Sequence, residues 1–527
     1  EFARCDIRHI LTRHEQSAAH MADGFGRVSR KPGVCFATSG PGATNILTGI
    51  ATAQADSSPM IAVTGQVPVA MIGKDAFQES DIIGMANPVV KYAFQPRLPE
   101  DVPEAVRKGF YIAETGRPGP VLIDVPKDVQ QNEAPMEFPE EFKIQGYHPW
   151  YDPDIVACEK AIDMLLNSEK PIILAGGGTI ISSAFAELQS IAETLMLPVV
   201  TTFKGKGAFP ENHPLSLGPI GMHGHAEANK MMAEADCVLA IGTRFSDRSV
   251  GTFEAFEKRL KIIHMDVDPA EIGKNQTTSL AVVGDVRTSL RVMVKLLLQK
   301  SIKKNEESLW VKHVKETKAY WKENLKLHPG EMGAAKILRK LRELLPKESI
   351  VTTEVGQHQM WASLFYDVIQ PGTFFSSTGL GTMGWGFPAS IGAKVARPDV
   401  PVVDIAGDGS FSMTENSLAT AVLEDIPVIV FVLNNSTLGM VAQWQRTFYD
   451  RRMIGVDQGG CPDYVKLAES YGAQGIRAQS MDELDKAIKS ALSSDVATVI
   501  DIPIDPEEDV LPFVAPGTSL SDMILPS

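Results

Sequence analysis

The chain has 527 residues, too many for one ordinary hydrophobic core, and a prior of roughly 150 residues per domain predicts about three domains. Its net charge of −15 and pI near 5.3 argue against nucleic acid as a partner, because phosphate binding requires a basic patch. No apolar run approaches the roughly 18 residues needed to span a bilayer, so no membrane partner is expected either.

The first residues have the pattern expected inside a secondary-structure element and not at the start of one. Residues 6–12 are predicted to form a strand already under way, which indicates a truncated chain. No signal peptide opens the chain, so we expect a cytoplasmic protein of prokaryotic type and leave open the loss of an organelle transit peptide. Five scattered cysteines form no CxxC pair, which is typical of free thiols in a reducing compartment: Cys5, Cys35, Cys158, Cys237 and Cys461.

Strands and helices alternate through the first part of the chain. The β-branched runs at 34–39, 60–64 and 120–125 read as buried parallel strands, and 43–55 has helical spacing. This order predicts a doubly wound α/β domain over residues 1–145, because parallel strands need crossover helices.

Two further α/β domains are predicted after a turn-rich break. The second covers 150–300, with strands at 171–175, 197–201, 237–241 and 261–266. A Lys/Glu-rich, solvated helical connector follows at 301–332. The third domain covers 333–515, with strands at 350–353, 400–405 and 427–433. The fold class is therefore α/β with three doubly wound parallel sheets, whose ligands bind beyond the carboxyl ends of strands.

The first domain places Glu15 at the start of a helix lined with small residues. Desolvation there is expected to favour the protonated carboxyl, which suits proton exchange near neutral pH. One alternative is that Glu15 only offsets the helix dipole in the first turn. Another is a metal pair of His14 and His20, which the six-residue spacing opposes because it does not keep both on one helix face.

The second domain has glycines and acids at several strand ends. Gly176, Gly177, Gly178, Asp266 and Asp285 fit a long dinucleotide-like ligand laid across a sheet edge. Ordinary loop glycines are the alternative. Metal binding by the loop histidines at 223 and 225 is not expected, because no carboxylates accompany them.

The sharpest pattern lies in the third domain, where two neighbouring apolar strands each end in oxygen-bearing side chains. The first strand ends in Gly407-Asp408-Gly409-Ser410 and the second in Asn434-Asn435-Ser436-Thr437. A carboxylate and a carboxamide at one crevice suit Mg²⁺, which shares its shell with diphosphate oxygens. Asp408 as the cap of a tight turn is the alternative.

A dinucleotide site is also formally possible in this domain. The sequence matches GxGxxG at Gly379, Gly381 and Gly384. Asp404 follows at the sequence separation expected of an acid that binds a ribose hydroxyl. A lone glycine match is weak, so we favour the diphosphate interpretation.

The GDG and NN pattern resembles the signature of thiamine-diphosphate enzymes. The stretches RHEQSAAHMADGFGR at 13–27 and TSGPGATN at 38–45 resemble acetohydroxyacid (acetolactate) synthases, and the resemblance covers the whole chain. It implies a thiamine-diphosphate-binding fold at both ends and an FAD-binding, Rossmann-like domain in the middle. It also implies decarboxylation of pyruvate and transfer of its hydroxyethyl unit to pyruvate or 2-oxobutanoate, the first common step of branched-chain amino-acid synthesis.

The resemblance further implies a role for each matching residue. Glu15 would contact the aminopyrimidine of thiamine diphosphate, with Gln78 and Lys127 as further catalytic residues. The rest of the thiamine-diphosphate pocket would be Gln357, His358, Gly381, Met383, Gly407, Asp408, Gly409, Ser410 and Met440. Mg²⁺ would be held by Asp408, Asn435 and Thr437. FAD would contact Arg117, His223, Gly224, Gly242, Thr243, Arg244, Asp266 and Asp285. The substrates would contact Phe77, Arg244 and Trp444.

The expected assembly is a homodimer or homotetramer with a small regulatory subunit, each site combining Glu15 of one subunit with the Asp408 domain of another. Three alternatives stay open: a pyruvate oxidase or related flavin-linked decarboxylase, an FAD-independent catabolic acetolactate synthase, and a non-catalytic homologue. The segments Gln443-Trp444 and 221–224 oppose the first. Glu15, Asp408 and Asn435 together oppose the last.

Overall fold

The computed structural model describes residues 4–135, 137–139, 141–149, 151–251, 260–303, 308–460 and 462–526. The chain divides into two compact units. The first unit comprises Glu1–Tyr147, Ser349–His358 and Ser376–Pro506, and the second comprises His148–Glu348, Gln359–Phe375 and Glu507–Ser527. The predicted limits of three domains remain predictions.

The amino-terminal part of the first unit contains a four-stranded sheet of order β1-β2-β4-β3 in which every pair is parallel. Its strands are β1 (Gly33–Ala37), β2 (Met60–Gln66), β3 (Tyr92–Phe94) and β4 (Pro120–Pro126). Its α-helices are α1 (Glu15–Ser29), α2 (Pro41–Asn45), α3 (Leu47–Ala55), α4 (Ile82–Ala86), α5 (Val102–Glu114) and α6 (Lys127–Gln131). Short 3-10 turns occupy Val69–Met71, Asn87–Val89 and Pro99–Asp101.

This sheet is buried on both faces. Ala62 and Leu122 belong to a core on one face, whereas Ile61, Val121 and Ile123 belong to a core on the other. The alternation follows from the two-residue period of a strand. It explains why the β-branched runs predicted these strands correctly.

The prediction of a strand over residues 6–12 is wrong. No strand is assigned to these residues, and their polar groups bind a helix end instead of a sheet. The backbone N–H of Leu11 donates to Glu424 Oε1 (3.2 Å), and Arg8 donates to the Glu424 carbonyl (3.2 Å). An apolar pattern alone does not distinguish such an extended segment from a strand.

The second unit contains a six-stranded sheet of order β10-β9-β8-β5-β6-β7, again with parallel pairs. Its strands are β5 (Pro171–Ala175), β6 (Val199–Thr201), β7 (Ser216–Pro219), β8 (Cys237–Ile241), β9 (Lys261–Asp266) and β10 (Leu280–Val283). Its helices are α7 (Ile155–Leu166), α8 (Gly177–Ile181), α9 (Phe185–Leu195), α10 (Ala226–Glu234), α11 (Asp247–Val250), α12 (Val286–Gln299) and α13 (Leu309–Asn324).

Helix α13 corrects the prediction of a solvated connector. Trp310 and Val314 join the core formed by Ile172 and Val238, and the Trp310 indole donates to the Pro171 carbonyl (3.0 Å). Its sparse apolar positions therefore form a narrow buried stripe, which an overall Lys/Glu-rich composition conceals.

The remaining elements begin with α14 (Ala334–Leu344) and include a third sheet of order β12-β11-β13-β14-β16-β15. Its strands are β11 (Ile350–Thr353), β12 (Phe374–Ser376), β13 (Val402–Gly407), β14 (Ile429–Asn434), β15 (Gln474–Arg477) and β16 (Thr498–Pro503). The helices are α15 (Gln357–Phe365), α16 (Gly386–Ala396), α17 (Asp408–Phe411), α18 (Leu418–Leu423), α19 (Gly439–Phe448), α20 (Tyr464–Ser470) and α21 (Met481–Leu492). A 3-10 turn at Glu415–Ser417 and the antiparallel pair β17 (Phe513–Val514) and β18 (Met523–Ile524) complete them.

Helices α1 and α16 pack backbone to backbone within the first unit. A Cβ added to Gly24 would lie 2.2 Å from the Ala389 carbonyl oxygen, and one added to Gly392 would lie 1.9 Å from that of Met21. Only glycine allows this approach. Among the described residues, no helix is long and apolar enough to cross a membrane.

Candidate active site

Asp408 and Asn435 lie at neighbouring strand ends, as predicted. Strand β13 pairs in parallel with β14, and Asp408 is the first residue after β13 while Asn435 is the first after β14. The backbone N–H groups of Gly409 and Asn435 bind the Asp408 carboxylate. Adjacent parallel strands therefore bring a carboxylate and an amide to one edge of the sheet.

The electrostatics of Asp408 suit a cation. Burial raises its pKa to about 6, and the bonds from backbone N–H groups only partly offset this effect. Gln458 Nε2 donates to Asp408 Oδ2 at 3.2 Å, and Tyr464 donates to the Asp408 carbonyl at 3.0 Å. A buried carboxylate in this position is stabilised by a divalent ion, because the ion favours its charged form. Thr437 lies two residues after Asn435, and its backbone N–H donates to Asn435 Oδ1 (3.2 Å).

The glycines of this turn make room for neighbouring side chains. A Cβ at Gly407 would lie 2.4 Å from His358 Nδ1, and one at Gly409 would lie 2.6 Å from Gln458 Nε2. Burial lowers the pKa of His358 to about 3, so its ring is neutral near pH 7. Its Nε2 is buried and has no partner within the described part of the chain, as expected of a group that faces a ligand.

Glu354, to which the sequence analysis gave no role, forms hydrogen bonds that connect residues 384–387 with the Asp408 turn. Its carboxylate accepts from the N–H of Gly384 (2.8 Å), the N–H of Phe387 (2.8 Å) and the Ser410 hydroxyl (2.6 Å). These contacts fix the turn that carries Gly381 and Met383 beside the Asp408 turn. A buried acid at the end of a strand was the only signal that pointed to it.

The alternative dinucleotide site at Gly379–Gly384 is not supported. Its proposed ribose ligand, Asp404, lies inside β13 and is fully buried. Asp404 accepts a hydrogen bond from Thr352 (2.9 Å), and burial together with the charge of Glu354 raises its pKa well above the ordinary value. It is an internal acid within the sheet and is therefore not available to a ribose.

Glu15 forms a second cluster with the TSGPGATN segment. Asn45 Nδ2 donates to Glu15 Oε2 at 3.0 Å, and a Cβ on Gly42 would lie 3.4 Å from Glu15 Oε1. The hydrogen bond from Asn45 lowers the pKa of Glu15, outweighing partial burial. The prediction that desolvation favours its protonated form is therefore wrong for this chain, because the carboxylate has an amide partner that the sequence did not reveal.

Gln78 lies against the same segment, whereas Phe77 and Lys127 are exposed. A Cβ on Gly40 would lie 2.9 Å from the Gln78 carbonyl oxygen. Gln78 has a left-handed backbone (φ 61°), and the Phe77 side chain is 89% exposed. Lys127 is the first residue of α6, beyond the carboxyl end of β4. Glu15 and Gln78 thus both border the 38–45 segment, Glu15 at Gly42 and Gln78 at Gly40.

The alternative metal pair of His14 and His20 is excluded. His14 Nδ1 accepts from the N–H of Gln16 (3.1 Å) as the cap of α1, whereas His20 is fully buried. Across the described residues, no cluster of three or more His, Cys, Asp or Glu side chains is arranged to hold a metal. The Asp408 site has one acid, one amide and backbone oxygens, and so falls outside that pattern.

The second unit gathers most of the residues predicted to bind FAD at the carboxyl ends of its strands. Gly176 and Gly178 meet Gly242 closely, since a Cβ at Gly176 would lie 2.2 Å from the Gly242 carbonyl oxygen. Two buried threonine hydroxyls nearby, Thr179 and Thr201, have no partner among the described residues. Close glycine backbones and unpaired hydroxyls fit a phosphate-bearing ligand.

Other predicted FAD residues are held by local contacts. His223 packs on Phe513 (ring centroids 5.1 Å apart), and burial lowers its pKa to about 3. Asp266 accepts from the N–H of Asp268 (2.9 Å) at the end of β9, and Asp285 caps α12 through Thr288 (2.9 Å). Gly224 and Thr243 are buried in the same unit, and the Arg244 carbonyl accepts from Asn275 (2.8 Å). Arg117 belongs to the first unit, where it donates to Ser57 (2.8 Å).

Helix α19 lines an open groove of about 510 Å³. Met440 and Trp444, both predicted site residues, lie on its wall together with Val441, Gln445, Tyr449, Arg452 and Ile454. The groove is mostly apolar with one arginine. It can therefore hold a short aliphatic chain that carries an acid group.

Comparisons with known proteins agree with this geometry. Three family models match in chain order: the N-terminal TPP binding domain of thiamine pyrophosphate enzymes over 1–85, the central domain over 158–293 and the C-terminal TPP binding domain over 354–502. Together with the fold and the Asp408 turn, these matches define a thiamine pyrophosphate enzyme.

Full-length relatives narrow the class. The chain is 48% identical to the "Probable acetolactate synthase large subunit" of Methanocaldococcus jannaschii, covering 99% of this chain and 89% of that protein. It is 44% identical to the "Acetolactate synthase large subunit" of Parasynechococcus marenigrum (99% and 85%) and 42% identical to that of Corynebacterium glutamicum (99% and 84%). The chain belongs to the acetolactate synthase large-subunit family.

Proposed function

We propose that the chain decarboxylates pyruvate and transfers the two-carbon unit to a second 2-keto acid, pyruvate or 2-oxobutanoate, with thiamine diphosphate, Mg²⁺ and FAD as cofactors. The observation that carries the proposal is the meeting of Asp408 and Asn435 at neighbouring strand ends, beside a glycine turn. Thiamine diphosphate supplies the electron sink for the bond that breaks when CO₂ leaves.

The residues of the first unit have distinct tasks in this proposal. Asp408, the Asn435 side chain and the Thr437 carbonyl hold Mg²⁺, and Gly407, Gly409 and Ser410 accommodate the diphosphate. Gln357, His358, Gly381, Met383 and Met440 complete that pocket. Two observations support this assignment: His358 Nε2 is buried without a partner among the described residues, and the Asp408 carboxylate is buried at a strand end.

Glu15 is the residue proposed to hold a proton at the aminopyrimidine. Asn45 fixes the direction of its carboxylate through a 3.0 Å hydrogen bond. The pKa of Glu15 is lowered in the single chain.

The substrate residues divide between charge and apolar contact. Lys127 in the first unit and Arg244 in the second are each proposed to supply positive charge for a keto-acid carboxylate. Gln78 and Phe77 are proposed to line the approach of the substrate. Trp444 contacts the aliphatic end of the acceptor in the α19 groove. One extra methylene there is worth only about 1–3 kcal/mol, so the preference for 2-oxobutanoate over pyruvate is graded.

FAD is proposed to bind at the strand ends of the second unit, with His223, Gly224, Gly242, Thr243, Arg244, Asp266 and Asp285 as its contacts there. Arg117, which the resemblance also assigns to FAD, belongs to the first unit, and its contact with the cofactor stays a prediction. Support comes from the close glycine backbones and the unpaired hydroxyls of Thr179 and Thr201. The proposed assembly is a homodimer or homotetramer. The words "large subunit" in the names of the relatives support a small regulatory partner.

The test is an assay of the protein with pyruvate, thiamine diphosphate, Mg²⁺ and FAD. Acetolactate should form with release of CO₂, and formation should cease when Mg²⁺ is chelated. Consumption of oxygen or a quinone without acetolactate would instead identify a pyruvate oxidase. A preparation that makes acetolactate without bound flavin would identify the FAD-independent type.

A further inference from the structure

Three buried amide side chains form a hydrogen-bonded relay beside the Asp408 turn. Asn435 Nδ2 donates to Gln357 Oε1 (3.2 Å), and Gln357 Nε2 donates to Gln443 Oε1 (2.9 Å). Asn435 is 9% exposed, and the two glutamines are each 3% exposed. The relay therefore lies in the protein interior, where an unpaired amide group is costly.

The direction of the relay is fixed at one end by the backbone. The N–H of Thr437 donates to Asn435 Oδ1 (3.2 Å), and a backbone N–H can only donate. The amide nitrogen of Asn435 must therefore face Gln357, which accepts the hydrogen bond through its side-chain oxygen. The nitrogen of Gln357 in turn needs an acceptor, and Gln443 provides it.

This direction determines which atom Asn435 offers to a cation. Mg²⁺ takes oxygen ligands, and an amide nitrogen carries two protons and cannot serve. We infer that Gln443 is a positioning residue for the metal site: by accepting from Gln357 it keeps the Gln357 oxygen on the Asn435 nitrogen, and so supports the direction that the Thr437 N–H sets for Asn435. The inference rests on the proposed Mg²⁺ site, and Gln443 itself touches neither metal nor substrate.

Helix α19 packs closely against the relay at Gly439. A Cβ on Gly439 would lie 1.9 Å from Gln357 Oε1 and 2.7 Å from Asn435 Nδ2. Gly439 and Gln443 are four residues apart on one face of α19, so the helix provides both the space and the acceptor. The same helix carries Met440 and Trp444, which connects the groove to the metal ligand through one rigid element.

The test compares two substitutions at one position. Gln443→Met keeps the length of the side chain but removes the acceptor, and is expected to weaken Mg²⁺ binding by about 10-fold or more. Gln443→Glu keeps an acceptor oxygen and should stay within about threefold of the wild type. The Mg²⁺ dissociation constant is measured by isothermal titration calorimetry with saturating thiamine diphosphate, and thermal unfolding reports folding.

Gln474→Met is the matched control. Gln474 lies in the same sheet at the amino-terminal end of β15, where its side chain contacts Ser490 and Thr498, so its substitution should leave Mg²⁺ binding unchanged. Gly439→Ala approaches the relay from the other side by displacing Gln357, and should weaken Mg²⁺ binding while Gln443 stays intact.

Two results would overturn the inference: wild-type Mg²⁺ affinity in Gln443→Met or Gly439→Ala, or equal weakening by the Met and Glu variants, since the latter would indicate packing alone. If Gln443→Met fails to fold, Gln443→Leu, which also removes the acceptor, replaces it in the comparison with Gln443→Glu. Failure of the wild-type protein to bind Mg²⁺ is a separate outcome, because it refutes the proposed metal site itself.

Discussion

Glu15 stands at the first position of α1 with one amide, that of Asn45, directed at its carboxylate. Replacing it with glutamine keeps the size of the side chain but removes the proton-exchanging group. We predict that Glu15→Gln lowers acetolactate formation by about 100-fold or more, the usual contribution of a positioned acid–base group. Thermal unfolding should be unchanged, because the side chain is only partly buried. Wild-type turnover in this variant would remove Glu15 from the chemistry.

His225 and Glu227 form a titratable pair at the start of α10 (3.5 Å). Burial opposes the charge of His225, but the hydrogen bond and charge of Glu227 outweigh it and raise the pKa of His225. Burial also opposes the charge of Glu227, and its bond to His225 lowers the pKa of Glu227. Lys206 and Glu211 also act on His225, with opposite signs.

The signs of these shifts define a pH window. The contribution of His225 is complete below its ordinary pKa of about 6.5 and is lost as pH rises through the raised value. That of Glu227 is complete above about 4.3 and is lost as pH falls through the lowered value. The pair therefore stabilises α10 most between these limits.

We predict that Glu227→Gln reduces the amide hydrogen-exchange protection of α10 most near pH 5.5 (about the middle of that window), by about 1 kcal/mol. The difference from wild type should narrow as pH rises through the raised pKa of His225. Glu323→Gln, on the exposed face of α13, is the control and should leave the hydrogen-exchange protection of α10 unchanged at every pH. A difference that widens with pH would contradict the pairing.

At the scale of whole elements, the contact of α1 with α16 depends on the absence of two side chains. A methyl group at Gly392 would overlap the Met21 carbonyl, which is 1.9 Å from the added Cβ. We predict that Gly392→Ala lowers the free energy of unfolding of the first unit by about 3 kcal/mol, since neither backbone can retreat without repacking. Urea denaturation followed by tryptophan fluorescence measures the change.

Gly73→Ala is the control for this substitution. No atom lies within 4 Å of a Cβ at Gly73, although its φ of 80° carries its own conformational cost of about 1–2 kcal/mol. If Gly392→Ala lowers the free energy of unfolding by less than Gly73→Ala does, α1 and α16 can move apart at little cost.

The sequence predicted elements well where burial on both faces produced strands rich in apolar residues, as in β4, β8 and β9. It failed at residues 6–12, where the apolar pattern belongs to an extended segment outside any sheet. It also failed in α13, where only a narrow apolar stripe is buried. In the site, the GDG and NN pattern located Asp408 and Asn435 because both follow strands. Gln443 carried no such signal, and Glu354 also follows a strand but has no second strand-end motif paired with it, since the roles of both come from contacts with residues distant in the chain.

At the scale of the whole molecule, the proposed sharing of sites between subunits makes a quantitative prediction. Glu15→Gln and Asp408→Asn chains should each be inactive alone. If each site takes Glu15 from one subunit and Asp408 from another, a mixed dimer regains one intact site. Random mixing of equal amounts, after dissociation and reassociation, should then restore about a quarter of wild-type activity.

Subunits that each contained a complete site would give no recovery on mixing. A mixture of either variant with itself, taken through the same dissociation, provides the baseline. Size-exclusion chromatography with light scattering checks that the mixed sample has reassembled.

The glycine contact between α1 and α16 also has a consequence for how the protein is made. About 350 residues of chain separate the two helices, and a ribosome that adds ~5–20 residues per second needs roughly 20–70 s to deliver the second helix. For most of that interval, after Pro126 has been added, the amino-terminal sheet is complete in sequence, yet one side of its first helix has no partner. We expect nascent chains to depend on chaperones in this period, and ribosome-bound fragments ending before Gly386 to be aggregation-prone.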